Sequence, residues 1–406
     1  MIRLPAPPDD PAGVEDWVRS HLGDLAGDEV RRSPRFRGTQ AAADAALAAF
    51  DVTGYAARRN EVQPESRRGA SALSPWIRHG HLPLPLVWDH VGGGPSRDVG
   101  KFRDELLWQE YARHLYARLG TRTARSLRQQ PPSGGPGGWD RSMACMASCL
   151  DELEGDGWLV NQTRMWLASH WTVREGGRWQ DGEDEFFRHL LDGSRAANRL
   201  GWQWTTGAGS SKHYGFSRWQ VQKRAPSLCR SCELRDDCPI EDWPDDPEFV
   251  AVERPSRLTR DEDPSTTAGP GAVERIEEPD VVWLTAESLG DDDPALSAHP
   301  ELPVVFVFDE PLLSSLALSG KRLCFLAERL GELAAQRPVE VHRGRPVEVL
   351  AGRRAAVTFA PVPGFRRRVE ELASVELHPW PWLRCPHGRA AASFTAWRKA
   401  LGRAAR

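Results

Sequence analysis

Residues 157–165 read GWLVNQTRM, and residues 191–204 read LDGSRAANRLGWQW. Around these two stretches, apolar residues recur at three- and four-residue spacing through residues 40–57, 102–119, 143–155, 162–170 and 184–199, the repeat of an amphipathic helix. No convincing alternating strand interrupts them, so residues 12–245 are predicted to be mainly helical. Taken singly, the polar residues of both stretches read as helix caps or solvated surface. Trp158, Trp202 and Trp204 read as core.

Further along, the texture changes. Residues 130–138, QPPSGGPGG, are a loop by composition, and residues 248–278 are rich in Asp, Glu, Pro, Ser and Thr, as an exposed flexible linker would be. After that linker come VVWL (281–284) and VVFVFD (304–309), short apolar runs of the kind that buried parallel strands require. An amphipathic helix is predicted over 321–336, with further strands at 339–344 and 356–361. The expected fold is a two-domain α plus α/β protein: an all-helical domain over 1–247, an acidic flexible linker over 248–278, and an open parallel, Rossmann-like sheet domain over 279–406.

A chain of 406 residues suits two domains, since single cores stop growing near ~250–300 residues. Its net charge of -4 means that any nucleic-acid contact must use a local basic face. No run approaches the ~18 apolar residues that span a bilayer, and the start, MIRLPAPPDDPAG, lacks a signal-peptide core. A cytoplasmic monomer without membrane contact is expected. The odd count of 7 cysteines argues for reduced thiols or a metal centre. Cys229, Cys232 and Cys238 supply three thiols, and Cys145 is the best fourth, with Cys149 one helical turn away as the alternative. Spacing alone leaves zinc and iron–sulfur both open. The 17 tryptophans, against 4 tyrosines, read as core volume or as groups suited to stacking and one-electron transfer.

Three groups of residues, in order, resemble the FAD-binding domain of photolyases and cryptochromes. The first runs from Gly54-Tyr55 and Arg58-Arg59-Asn60 through Ser71-Ala72-Leu73-Ser74-Pro75-Trp76 to Trp108-Gln109-Glu110-Tyr111-Ala112-Arg113-His114. The second is Gly157 to Met165, and the third is Leu191 to Asn198, continuing into Trp202 and Trp204. The resemblance implies bound FAD, contacted by Tyr55, Ser71, Ala72, Leu73, Ser74, Trp108, Arg113, Arg164, Asp192, Ser194 and Asn198. Hydroxyls such as Ser71 and Ser74 beside a helix start can hydrogen-bond a diphosphate. Asn198 matches the asparagine that faces the flavin N5, which leans toward repair. Trp202 matches the flavin-proximal member of a tryptophan wire and Trp179 the next, the third being unassigned. Ala70 stands where a threonine is common, Gln162 replaces an arginine that touches DNA, and Ser194 replaces a second aspartate at the flavin.

The cysteine arrangement is similar to that of the bacterial iron–sulfur branch of the family, which implies a [4Fe–4S] cluster on Cys145, Cys229, Cys232 and Cys238. Residues 281–346 look like the α/β antenna domain that normally begins a photolyase, so the domain order is expected to be circularly permuted. Thr285-Ala286-Glu287 stand where the family has arginines, leaving the antenna pigment open. The implied activity is light-driven repair of pyrimidine dimers in UV-damaged DNA, single strands included. Glu110 would contact the flipped dimer, Asn161 and Met165 would line its pocket, Asn198 would act at the flavin, and Arg113 would join a basic rim. The alternative is a non-enzymatic blue-light or redox sensor. A flavin-free iron–sulfur nuclease or primase is disfavoured by the three flavin-like segments.

Overall fold

The apolar runs at 281–284 and 304–309 are strands in a computed structural model that describes residues 1–402. In chain order the strands are β1 (Ile2–Leu4), β2 (Gln129–Gln130), β3 (Val250–Ala251), β4 (Val281–Leu284), β5 (Val304–Asp309), β6 (Val339–Gly344), β7 (Arg354–Thr358) and β8 (Ser374–His378). Six form one sheet in the order β1-β6-β5-β4-β7-β8. The five from β4 onward pair in parallel and, numbered from β4, lie in the order 3-2-1-4-5, one half of a doubly wound fold. β1 pairs antiparallel with β6, Ile2 opposite Arg343, so the sheet is mixed and not purely parallel as expected. A three-residue strand suits the sheet edge, which proteins keep short.

The contact units depart from the expected boundaries at 247 and 279. One unit comprises Met1–Phe50, Leu73–His90 and Asp263–Gly388; the other comprises Asp51–Ala72, Val91–Glu262 and the chain from Arg389. The reason lies in what each end of the chain buries. Helix Pro11–Leu22 buries Val14, Trp17, Val18 and Leu22 and packs on helix Gly320–Ala334. There Gly331 lies so close to the Pro8 backbone that a Cβ would stand 2.3 Å from the Pro8 oxygen. Helix Phe394–Ala400 instead packs on helix Ser96–Leu119, Trp397 Nε1 donating to His114 Nδ1 at 3.0 Å and the Tyr111 hydroxyl to Ala391 O at 2.9 Å.

Residues 248–278 are not a free tether. In the helical unit β3 pairs with β2, Leu258 is buried, and Asp261 meets Arg257 at 2.8 Å and Arg118 at 3.4 Å. In the sheet unit Glu274 bridges to Leu377, lengthening the edge at β8. Several helices also break where periodicity ran on. The expected 40–57 helix stops as Gln40–Ala49, and the chain turns through Gly54 at φ 79° before a short helix at Tyr55–Arg58. The expected 184–199 helix is two, Trp179–His189 and Ala197–Thr206, with the flavin-like segment turning between them.

Candidate functional site

In the helical unit, helices Ala144–Gly155, Asn161–Ser169, Trp179–His189 and Ala197–Thr206 surround a core that contains Trp166, Trp179, Phe186 and Trp202. Arg164 is fixed by donating Nε to Leu159 O at 3.0 Å, and its fork grips Asp192 through Nη1–Oδ1 at 3.1 Å and Nη2–Oδ2 at 2.8 Å. Asn198, in the first turn of the following helix, is buried and its Nδ2 has no hydrogen-bond partner. An unsatisfied buried donor costs about 1–3 kcal/mol. Trp202 Nε1 is buried and unpartnered as well. Two orphaned donors, one turn apart on a helix that packs on the helix carrying Arg164, fit a bound group that offers acceptors.

The other residues expected at the cofactor are placed as follows. Ser194 Oγ accepts from Ala197 N at 2.9 Å and so caps the helix that carries Asn198. Tyr55 is buried edge-on to Phe102 at 4.9 Å, and burial raises its phenol pKa. The Asp98 carboxylate accepts from Gly54 N at 2.9 Å and Ala56 N at 2.8 Å, pinning the turn before Tyr55. Trp108 and Arg113 are half-buried on helix Ser96–Leu119, the Trp108 ring passing over Gly201. Ser71, Ala72 and Ser74 are half-buried and Leu73 is buried; Ala72 takes φ 55°, the left-handed region that disfavours a side chain, and the helix beginning at Ser74 is only five residues long. Ala72 and Leu73 belong to different units.

The residues expected at a lesion do not share one exposure. Glu110 has no accessible surface, its carboxylate 3.8 Å from His114 Nε2. Asn161 is exposed at the start of its helix, and Met165 is half-buried one turn on. Gln162, at the position where an arginine would touch DNA, is turned inward and donates to the Tyr214 hydroxyl at 2.8 Å.

The expected indole pair also differs from what packs together. Trp202 meets Phe186 edge-on at 5.0 Å, and a Cβ on Gly182 would stand 2.3 Å from Trp202 Cη2 and 3.0 Å from Trp171 Cδ2. Trp202 and Trp171 thus approach each other across the bare backbone of Gly182. Trp171 lies on the wide π turn His170–Arg174 and packs on Trp139 at 4.7 Å. Trp179 is buried, with its indole donating to Ser126 Oγ at 3.2 Å. The only local hint in the sequence is Gly182 itself, a helix-interior glycine that leaves room for a close neighbour but does not name Trp171. Buried Glu183, bound by Arg195 at 2.5 Å and Arg199 at 3.1 Å, had no such signal.

Cys145, Cys229, Cys232 and Cys238 all line one small open cleft, walled by Met143, Val221, Leu228 and Ile240 and flanked by Arg218 and Arg235. Burial pushes the Cys145 thiol up to about 12, and the other three sulfurs, close enough to repel its thiolate, add to this. Arg218 opposes the same effect at Cys229. Cys149 is buried and is not part of the cleft wall. Among the described residues no three cysteine sulfurs lie within 4.8 Å of one another.

In the sheet unit, the loop after β4 that was expected to bear on a pigment is tied down internally. Glu287 takes both Arg78 Nη atoms at 2.7 Å, and His79 Nδ1 is 2.7 Å from Ala286 O. Among the described residues no helix is long and apolar enough to cross a membrane.

Residues 144–226 match the model of the FAD binding domain of DNA photolyase. The chain is 29% identical over 228 residues to the deoxyribodipyrimidine photo-lyase of Thermus thermophilus, covering 51% of this chain and 50% of that one. It is 27% identical over 165 residues to the deoxyribodipyrimidine photo-lyase of a Synechococcus species, covering 35% and 33%. Among solved structures, a bacterial class III photolyase from Agrobacterium tumefaciens aligns at 24% identity and a TM-score of 0.40 over 47% of this chain and 44% of that one. A Synechocystis cryptochrome aligns at 20% identity and 0.43 over 51% and 48%. The family model and the curated relatives support an FAD-binding domain of the photolyase family. The chain spans about a quarter to a half of the length of the curated relatives it matches.

Proposed function

We propose that the chain binds FAD and uses it for light-driven repair of pyrimidine dimers in UV-damaged DNA. The observation that carries the reading is the buried, unpartnered Asn198 amide, on a helix packed against the one that carries Arg164, inside the residues that match a photolyase FAD-binding domain. When bound and reduced, the flavin supplies the photo-excited electron that opens the dimer. The chain's own residues bind and orient. Asn198 offers an amide donor that cannot deliver a full proton, Arg164 presents a fixed cation whose charge Asp192 balances, and the surrounding indoles exclude water. Trp202, with Trp171 and Trp139 behind it, is the route for recharging electrons. Met165 and Asn161 border the lesion, and Arg113 adds positive charge for flanking phosphates.

We further assign Cys145, Cys229, Cys232 and Cys238 to a [4Fe–4S] cluster that ties helix Ala144–Gly155 to the 229–238 loop. The resemblance of the sheet unit to the family's antenna domain supports a circularly permuted domain order, and the presence of an antenna pigment there is left open. A second reading, a blue-light or redox sensor, is favoured by the inward-turned Gln162 and fully buried Glu110. The deciding experiment is illumination of fully reduced, flavin-loaded protein with single-stranded DNA carrying a cyclobutane dimer at low salt. Light-dependent loss of dimers supports repair, and its absence in protein that holds FAD replaces repair with sensing.

A further inference from the structure

β8 carries Glu376 and His378 two positions apart, so both side chains leave the same face of the strand. Helix Pro294–Ala298 packs against β8, and the residue that ends it, His299, brings a second imidazole to that face. His299 Nε2 is 2.5 Å and His378 Nε2 2.6 Å from the same carboxylate oxygen, Glu376 Oε1, and the three donor atoms lie within 4.8 Å of one another. The second oxygen, Oε2, is held by Arg275 Nε.

A carboxylate receiving two imidazoles and a guanidinium is one account of this cluster, and two features argue past it. Both imidazole nitrogens and the one carboxylate oxygen that Arg275 leaves open converge within 4.8 Å of one another, the three-donor geometry that a cation needs. The charge also favours a cation. Glu278 pairs with Arg275 and offsets its positive charge. Two imidazoles and one carboxylate are the protein ligands of open zinc sites, which leave a fourth position to water or substrate. Glu376 and His378 are buried, and His299, with 16% of its side chain exposed, is the side from which an ion would enter.

We propose that His299, Glu376 and His378 form a site for a divalent transition cation, Zn²⁺ by donor preference, with Arg275 as the positioning residue that leaves only Oε1 to the metal. Each imidazole then carries its proton on Nδ1 and turns the Nε2 lone pair to the ion. Ligand distances of ~2.0–2.2 Å require the nitrogens to draw back from Oε1 by under ~1 Å, a modest ring rotation. The site lies wholly in the sheet unit and owes nothing to flavin or to the cysteine cleft.

The test uses the full chain carrying Cys232→Ser, stripped with a chelator and titrated with Zn²⁺ against a competing indicator, then with Co²⁺ by visible absorption. The expected result is one equivalent of tight Zn²⁺ and a Co²⁺ spectrum without thiolate charge transfer. His299→Gln and His378→Gln should each weaken binding by about 100-fold, at or above what loss of an outer-shell partner costs. If Cys232→Ser does not fold, the wild-type chain is titrated and the sites are separated by the presence or absence of thiolate bands. No nitrogen- and oxygen-bound equivalent, or one of unchanged affinity in both histidine variants, overturns the proposal.

Discussion

Gly182→Ala tests the indole arrangement without touching an indole. Position 182 is inside helix Trp179–His189 and is buried, and its φ is not in the left-handed region, so alanine there would ordinarily gain about 0.5–1 kcal/mol. Here the new methyl would stand 2.3 Å from Trp202 Cη2, and Trp202 is only 2% exposed, with Phe186 packed edge-on against it. Overpacking of this kind costs about 1–3 kcal/mol. The collision outweighs the helix gain, leaving a net loss of about 1–2 kcal/mol. For a unit of this size, about 2–4 °C of melting temperature is lost per kcal/mol. Thermal unfolding followed by circular dichroism should therefore fall by several degrees, with slower flavin photoreduction because Trp202 and Trp171 are pushed apart. An unchanged or raised melting temperature would refute the packing across Gly182.

Three further outcomes follow. Trp171→Phe should slow photoreduction of bound flavin about as much as Trp202→Phe, while Trp179→Phe, which loses one bond to Ser126, should slow it little; transient absorption of the three variants distinguishes them, and the reverse ranking restores Trp179 to the wire. Cys232→Ser should remove iron and sulfide from anaerobically prepared protein and lower the stability of the helical unit, whereas stoichiometric zinc without iron would rule out the cluster. Burial holds His81 at about 3, below its unfolded ~6.5, so between these values the unfolded state binds a proton that the folded state does not, and stability falls as pH drops below ~6.5. From pH 6.5 to 5 this amounts to about 2 kcal/mol in urea unfolding, a slope that His81→Gln should flatten and that would be wrong if the variant kept it in full.

The strands β4 and β5 were legible because buried parallel strands need unbroken apolar runs, and 281–284 and 304–309 have little else. β1 was not, because IRL is too short to show a period and its pairing with β6 spans nearly the whole chain. The same holds for helix Phe394–Ala400, whose docking depends on Trp397 reaching His114, a contact without local trace. At the site, cysteine spacing pointed to four thiols that do line one cleft, because metal ligands recur at short fixed intervals. The Trp171 and Trp139 contact and the His299, Glu376 and His378 cluster were invisible, since each joins residues whose own neighbourhoods carry no pattern. Ser194 and Gln162 read as departures from the family pattern, and the structure gives their local bonds, Ser194 Oγ accepting from Ala197 N and Gln162 donating to the Tyr214 hydroxyl.

The central claim, that this chain holds FAD, is tested most directly by denaturing purified, folded protein, removing the precipitate and quantifying the released flavin by chromatography and fluorescence. The account predicts FAD approaching one per chain, strongly reduced when Asn198→Leu removes the buried amide. Well-folded protein that releases no flavin, even after incubation with excess FAD, would contradict it.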